Sequence, residues 1–166
     1  MINLKVWIIY KDGIGFLKII AEMLQDRFDE YIDVSVGNAI KINPSFLVEE
    51  SLHYLIIGDL INNEIPSLEI QNWLLKYCEI SCKLNLNLKA ISVFYVTSTS
   101  TQTSVQPLWA RFLKDNVKAN IVFPPLLHLK LNLVNLSLEN GTIDLIKKYT
   151  DDFIEFFVNN EKMNEE

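Results

Sequence analysis

The stretch LKVWIIYKDGIGFLKIIAEMLQDRF, residues 4–28, decides the fold. Its first seven residues form an apolar run too short for a helix and rich in β-branched and aromatic side chains, which reads as a buried strand. Residues 11–15 then carry two glycines, the chemistry of a turn. From Phe16 onward, Ile20, Met23, Leu24 and Phe28 recur at helical spacing, with Lys18, Glu22 and Gln25 between them. A buried strand that turns directly into an amphipathic helix is the opening unit of an α/β protein.

The same rhythm continues outward from that unit. Residues 31–36 (YIDVSV) alternate as a strand with one wet face, which belongs near a sheet edge. Residues 37–51 contain Pro44, and the spacing predicts a short helix over 46–50. Residues 54–57 (YLII) form a buried strand ending at Gly58-Asp59. Pro66-Ser67 opens a helix with Ile70, Leu74, Tyr77, Cys78 and Ser81 on one side. Another buried strand, residues 90–96 (AISVFYV), leads into a run of hydroxyls over 97–104 (TSTSTQTS). Leu108, Trp109, Phe112 and Leu113 mark a helix after Pro107. Residues 120–123 (NIVF) read as a fifth strand stopped by Pro124-Pro125, because proline cannot continue a central ladder. In residues 126–139 leucine alternates with His, Lys, Asn and Ser as an extended excursion. Thr142 is expected to cap the last helix, with Ile143, Ile146, Phe153 and Phe157 inward, before a frayed polar tail at 159–166.

Apolar strands alternating with amphipathic helices require a sheet buried on both faces. The expected architecture is three-layered α/β: a five-stranded parallel sheet of order 2-1-3-4-5 with helices on both faces, spanning residues 1–158. Ligands of such sheets sit beyond the carboxyl ends of the strands, at the point where strand order reverses. Those ends here carry residues 11–15, 58–63 and 97–104, so any site is expected there.

Composition narrows the partners. The 166 residues are 49 % hydrophobic and 22 % charged, the profile of one globular domain. Fifteen Lys+Arg against 21 Asp+Glu give a net charge of −6, and no basic cluster stands out, so neither nucleic acid nor a membrane is an expected partner. The first residues run into an apolar strand without a cleavage signature, and the expected location is cytoplasmic. Cys78 and Cys82 share a helix face without a second ligand pair, which reads as small buried residues and not as a metal site. His53 and His128 have no Ser or Cys elbow near them, so no catalytic set is assigned.

At the three loops the sequence resembles flavodoxins. Residues 8–24 (IIYKDGIGFLKIIAEML) are similar to that family's first strand, phosphate loop and first helix, and residues 54–74 (YLIIGDLINNEIPSLEIQNWL) to its third strand and flavin-flanking loop. The segment ISVFYVTSTS resembles the fourth strand and second flavin loop. The resemblance implies a flavodoxin-like fold, FMN as cofactor, electron transfer as the role and a redox partner protein. It places Lys11, Asp12, Gly13, Ile14 and Gly15 at the FMN phosphate. Asp59, Leu60, Asn62 and Asn63, with Thr97, Ser98 and Thr99, would flank the ring.

The phosphate loop is atypical. Asp12, Ile14 and Leu17 stand where the family offers hydroxyls, and residues 59–63 offer no aromatic ring, which implies FMN binding weakened or lost. The same loops also resemble response-regulator receiver domains, with Asp12, Asp59, Thr97 and Pro124 in matching places. Lys11 replaces one metal-binding acid of that family and Phe123 replaces its lysine, so a receiver origin would be degenerate. The alternative role is a cofactor-free interaction or dimerisation module. For the latter, residues 126–138 (LLHLKLNLVNLSL) are either a strand or flap packed on the sheet or an apolar strip that pairs with a second copy in a homodimer.

Overall fold

The structure is a computed structural model that describes residues 4–11, 15–61, 66–98, 106–122, 126–132 and 134–163. In chain order its elements are β1 (Val6–Tyr10), α1 (Phe16–Phe28), β2 (Val34–Asn38), α2 (Pro44–Glu49), β3 (Tyr54–Ile61) and α3 (Leu68–Lys83). They are followed by β4 (Leu88–Ser98), α4 (Gln106–Asn116), β5 (Ala119–Val122), β6 (Leu127–Asn132), β7 (Ser137–Leu138) and α5 (Thr142–Met163).

Alternation along the central strands divides the core in two. Ile8, Tyr54, Ile56 and Phe94 face α1 and α5, where they meet Ile20, Leu24, Phe28 and Phe153. Ile9, Leu55, Ile57, Ile91 and Val93 face the other way, against Ile70, Leu74, Trp109 and Leu113 of α3 and α4. Successive side chains of a strand point to opposite faces, so two apolar layers demand strands that are apolar throughout. Gly58 lies beside Phe94 in the β3–β4 register, and a Cβ there would run into the Phe94 ring, so the position admits only glycine without repacking.

The three-layer α/β class holds, but the strand count and order differ from the expected five in order 2-1-3-4-5. Among the described residues the sheet has seven strands in the order β2-β1-β3-β4-β6-β7, with β5 also paired to β4. Pairings among β1 to β6 are parallel, and the β6–β7 hairpin is antiparallel. The reason is length. At 11 residues β4 is far longer than the four-residue β5, which covers only its first half, from Leu88↔Ala119 to Ile91↔Val122. The second half is covered by β6, from Phe94↔Leu127 to Ser98↔Leu131. Between the two segments the sequence has four residues, 123–126, where β4 has two, Ser92 and Val93. The tandem prolines at 124 and 125, which have no N–H to donate, belong to this interruption and lie outside the described residues.

The leucine-rich excursion is therefore the outer half of the fifth strand position. Leu127, Leu129 and Leu131 are buried in the α1/α5 layer, so they are not an exposed strip. Val134 and Leu136, further along, are exposed.

Three helix details also differ from expectation. α2 begins at Pro44, two residues before the predicted start, with the Asn43 side chain accepting from Ser45 N at 3.0 Å. Thr142 does not cap α5: its hydroxyl donates to the Glu139 carbonyl at 2.6 Å, and Gly141, with φ +86°, precedes the helix. Ile143 is 71 % exposed, since the buried stripe of α5 starts one turn later at Ile146 and continues through Tyr149, Phe153 and Phe157. α5 runs through Met163, so residues 159–163 of the expected polar tail are helical. Within them Glu161 is buried, accepting from Tyr54 Oη at 2.5 Å and pairing with Lys89 Nζ at 3.0 Å.

Candidate functional site

The carboxyl ends of β1, β3 and β4 lie side by side, because these strands are consecutive neighbours in parallel. Those of the named residues that the structure describes therefore lie at one edge of the sheet. The structure describes seven of those residues: Lys11, Gly15, Asp59, Leu60, Thr97, Ser98 and, at a replaced hydroxyl position, Leu17. Asp12, Gly13, Ile14, Asn62, Asn63 and Thr99 lie outside the described residues, as do Phe123 and Pro124 of the receiver comparison.

At the end of β1, the Lys11 backbone N–H donates to the Gly58 carbonyl at 2.9 Å, fixing the exit of the strand against β3. Its ammonium sits 3.3 Å from Glu69 in the first turn of α3. The Glu69 carboxyl lies below its usual range, chiefly through its own backbone N–H, with Lys11 contributing. Gly15 has φ +85° and opens α1 without any side-chain cap. Among the described residues a Cβ at Gly15 would meet nothing within 4 Å, and Gly15 is exposed at the head of α1. The first N–H groups of a helix have no intrahelical acceptor, and together with the helix dipole they favour an anion. Leu17 is core, buried in the α1/α5 layer.

The end of β3 is different. Asp59 is fully buried and accepts two hydrogen bonds from one residue: Ser67 N at 2.9 Å and Ser67 Oγ at 2.5 Å. Burial pushes its carboxyl up to about 6, against the opposing pull of the Ser67 bonds and of Lys11. This aspartate pins the start of α3 to the sheet. Its neighbour Leu60 faces the opposite layer and is half-buried.

At the end of β4, Thr97 is 1 % exposed, and its Oγ1 lies 2.7 Å from Nε2 of His128 on β6. The His128 ring stacks on Tyr95, with centroids 4.7 Å apart and planes 21° from parallel. Burial lowers the His128 pKa, with Lys130 adding to the effect and Glu139 opposing it. Ser98 is half-buried.

Sequence reasoning missed Ser67 and His128 as partners of the named residues. The sequence marks Ser67 only as the opening of α3. The signal for His128 was its place in the leucine alternation, opposite in phase to Leu127 and Leu129, which puts it on the other face of the strand. Elsewhere, the Cys78 thiol is pushed up to about 11 by burial and by Cys82. Among the described residues no group of three or more His, Cys, Asp or Glu is placed to hold a metal. No described helix is long and apolar enough to cross a membrane.

A doubly wound, mostly parallel sheet between two helical layers defines the class: a three-layer α/β protein. Within that class the fold is the flavodoxin fold. Flavodoxin 2 from Bacillus cereus, in its oxidised form, is similar over 91 % of this chain and 98 % of its own, at 16 % identity and a TM-score of 0.68. A flavodoxin from the domain Archaea is similar over 92 % of this chain and 97 % of its own, at 17 % identity and 0.69. A Fusobacterium nucleatum flavodoxin bound to flavin mononucleotide is similar over 91 % and 97 %, at 11 % identity and 0.62. No family model matches the chain, and no curated protein matches it in sequence.

Proposed function

We propose that this chain is a flavodoxin-like FMN protein that carries electrons to a redox partner and holds its flavin with a weakened phosphate grip. The observation that carries the reading is the exposed head of α1 beyond the carboxyl end of β1, uncapped by any described side chain and entered through Gly15 in a left-handed conformation. That arrangement fits a phosphate, and it occurs in a fold shared along nearly its full length with a flavodoxin bound to flavin mononucleotide. Backbone N–H groups of the α1 head would hold the phosphate, and Lys11 would supply the nearby positive charge. Leu60 and Ser98 would stand beside the ring. When bound, FMN supplies the one- and two-electron redox chemistry of its isoalloxazine.

The weakening follows from what the neighbouring side chains already do. Lys11 is shared with Glu69, Asp59 is committed to Ser67, and the Thr97 hydroxyl lies against His128. These polar groups support the scaffold, so the flavin would be held largely by backbone and apolar contact.

The test is the visible spectrum of protein purified without added flavin, followed by an FMN titration read by flavin fluorescence. The expected result is quenching with a Kd in the micromolar range, about −8 kcal/mol. A colourless protein that leaves the fluorescence unchanged overturns the reading in favour of a cofactor-free interaction module.

A further inference from the structure

We propose that His53 is an acid-released clasp on the entry of β1: its neutral ring holds the Lys5 backbone N–H through Nδ1, and its protonated ring gives that N–H up. The inference concerns the amino edge of the sheet and does not rest on the flavin reading.

Three strands meet at this residue. His53 stands just before β3, one position ahead of the Val6↔Tyr54 pair. Its backbone N–H donates to the Lys5 carbonyl at 3.0 Å, and its carbonyl accepts from Lys89 N at 2.8 Å. Its main chain is therefore tied toward β1 on one side and β4 on the other. The Lys5 carbonyl also accepts from Tyr54 N at 3.2 Å. The side chain adds a further tie, because Nδ1 of the half-buried ring accepts from Lys5 N at 3.2 Å. A peptide N–H only donates, so Nδ1 carries the lone pair and the neutral ring is held as the Nε2–H tautomer.

Protonation turns this bond into a conflict. Nδ1 then carries a proton of its own, and the peptide N–H, unlike a hydroxyl, has no lone pair to offer it. The ring has to leave the amide. The two bonds to the Lys5 carbonyl are untouched, so the change is confined to the residues that lead into β1. Leu4, packed against the α1/α5 core, is the apolar contact next to the released amide.

The charged groups around the ring set where this happens. Lys89 on β4 and Lys5 ahead of β1 disfavour the imidazolium, and Glu161 on α5 favours it. Lys5 is paired at 3.4 Å with Glu50 at the end of α2, and Glu161 is already shared between Lys89 at 3.0 Å and the Tyr54 hydroxyl. Burial is the largest effect and lowers the His53 pKa, so release is reached below the ordinary histidine value. With the folded pKa below the unfolded one, the stability from the clasp is present above the unfolded value. It is lost as the pH falls through the folded one.

The test follows backbone amides by NMR in wild-type protein, His53→Asn and His53→Phe between about pH 5 and 8. Asparagine places a non-titrating oxygen near the position of Nδ1, and phenylalanine removes the acceptor. In wild type the neutral ring is expected to be protonated at Nε2 and bare at Nδ1, with the Lys5 amide shift titrating alongside the ring. Hydrogen exchange at Lys5, corrected for its intrinsic pH dependence, is expected to quicken about fivefold across that titration, the equivalent of one hydrogen bond. His53→Asn should stay protected without titrating, and His53→Phe should exchange at the faster rate throughout. The Ser67 amide, bonded to Asp59 at 2.9 Å at the opposite edge, should titrate alike in all three proteins.

A neutral ring protonated at Nδ1 overturns the proposal from the wild-type spectra alone. So does a Lys5 amide that titrates in His53→Asn as it does in wild type, which would assign the effect to Glu50 or Glu161.

Discussion

The two edges of the sheet treat buried carboxylates in opposite ways. At the amino edge, where β1, β3 and β4 begin, Glu161 of α5 receives Tyr54 Oη and the Lys89 ammonium, and Asn160 donates to Tyr54 Oη at 3.0 Å. Burial would push the Glu161 carboxyl up, but the bonds from Tyr54 and Lys89 outweigh it, and the group lies below its ordinary value. At the carboxyl edge Asp59 has two bonds from a neutral serine, with weaker help from Lys11 and the Leu60 backbone N–H, so burial wins and the carboxyl rises to about 6. One edge is a saturated ion network that closes the fold. The other retains a costly charge at the start of α3.

The largest effect that would test this contrast is expected at the amino edge. Glu161→Ala leaves the Tyr54 hydroxyl without its acceptor and Lys89 without its counter-charge, and should cost about 3 kcal/mol in urea-midpoint stability. FMN affinity should stay within twofold, since the proposed site is at the opposite edge. Loss of FMN binding in a variant that remains folded would show that the edges are not independent.

A smaller effect of opposite sign is expected at Asp59. Its folded pKa exceeds the unfolded value of 3.8, so the folded state holds the proton longer. Stability is therefore greatest below pH 4 and falls as the pH rises through about 6, by about 3 kcal/mol from this group alone. Asp59→Asn should remove that slope and be more stable than wild type at pH 7.5 by about 2 kcal/mol, with the amide still able to pair with Ser67. Glu161 works in the other sense, its contribution present near neutrality and lost in acid. Chemical denaturation of both variants from pH 4 to 8 separates the two. An unchanged slope in Asp59→Asn would mean that the carboxylate is not the buried charge argued here.

The smallest effect is expected at Gly15. Its φ of +85° disfavours any side chain, while a Cβ would meet no neighbour. Gly15→Ala should cost about 1 kcal/mol of backbone strain and nothing from packing. A cost above 3 kcal/mol would mean that the head of α1 is not open.

How much of this was legible in the sequence depends on the distance over which each feature is encoded. β1, β3, β4 and the amphipathic helices follow from periodicities within a dozen residues, and they were readable. The length of β4 was not: the apolar run covers 90–96, whereas the strand spans Leu88–Ser98, and only a partner strand can show that Leu88 and Ser98 continue the ladder. That difference is why the expected fifth strand, 120–123, fills only part of its position as β5 and the excursion over 126–139 supplies β6 for the rest. The strands that lead into the candidate loops are parallel neighbours, so their carboxyl ends share an edge. The commitments of their side chains were hidden, because Asp59–Ser67, Thr97–His128 and Tyr54–Glu161 join residues 8, 31 and 107 positions apart. A polar residue carries no periodic signal, so its partner is set by the tertiary fold alone.

That last separation has a kinetic meaning. Closing a loop of 107 residues is entropically expensive, and the bond between Tyr54 and Glu161 can repay it only after β1, β3 and β4 are aligned beneath α5. The clasp at the amino edge is thus expected to form after the rate-limiting step of folding. Weakening it would quicken unfolding and leave the folding rate nearly untouched, so Glu161 acts as a latch on the finished molecule and takes no part in its nucleus.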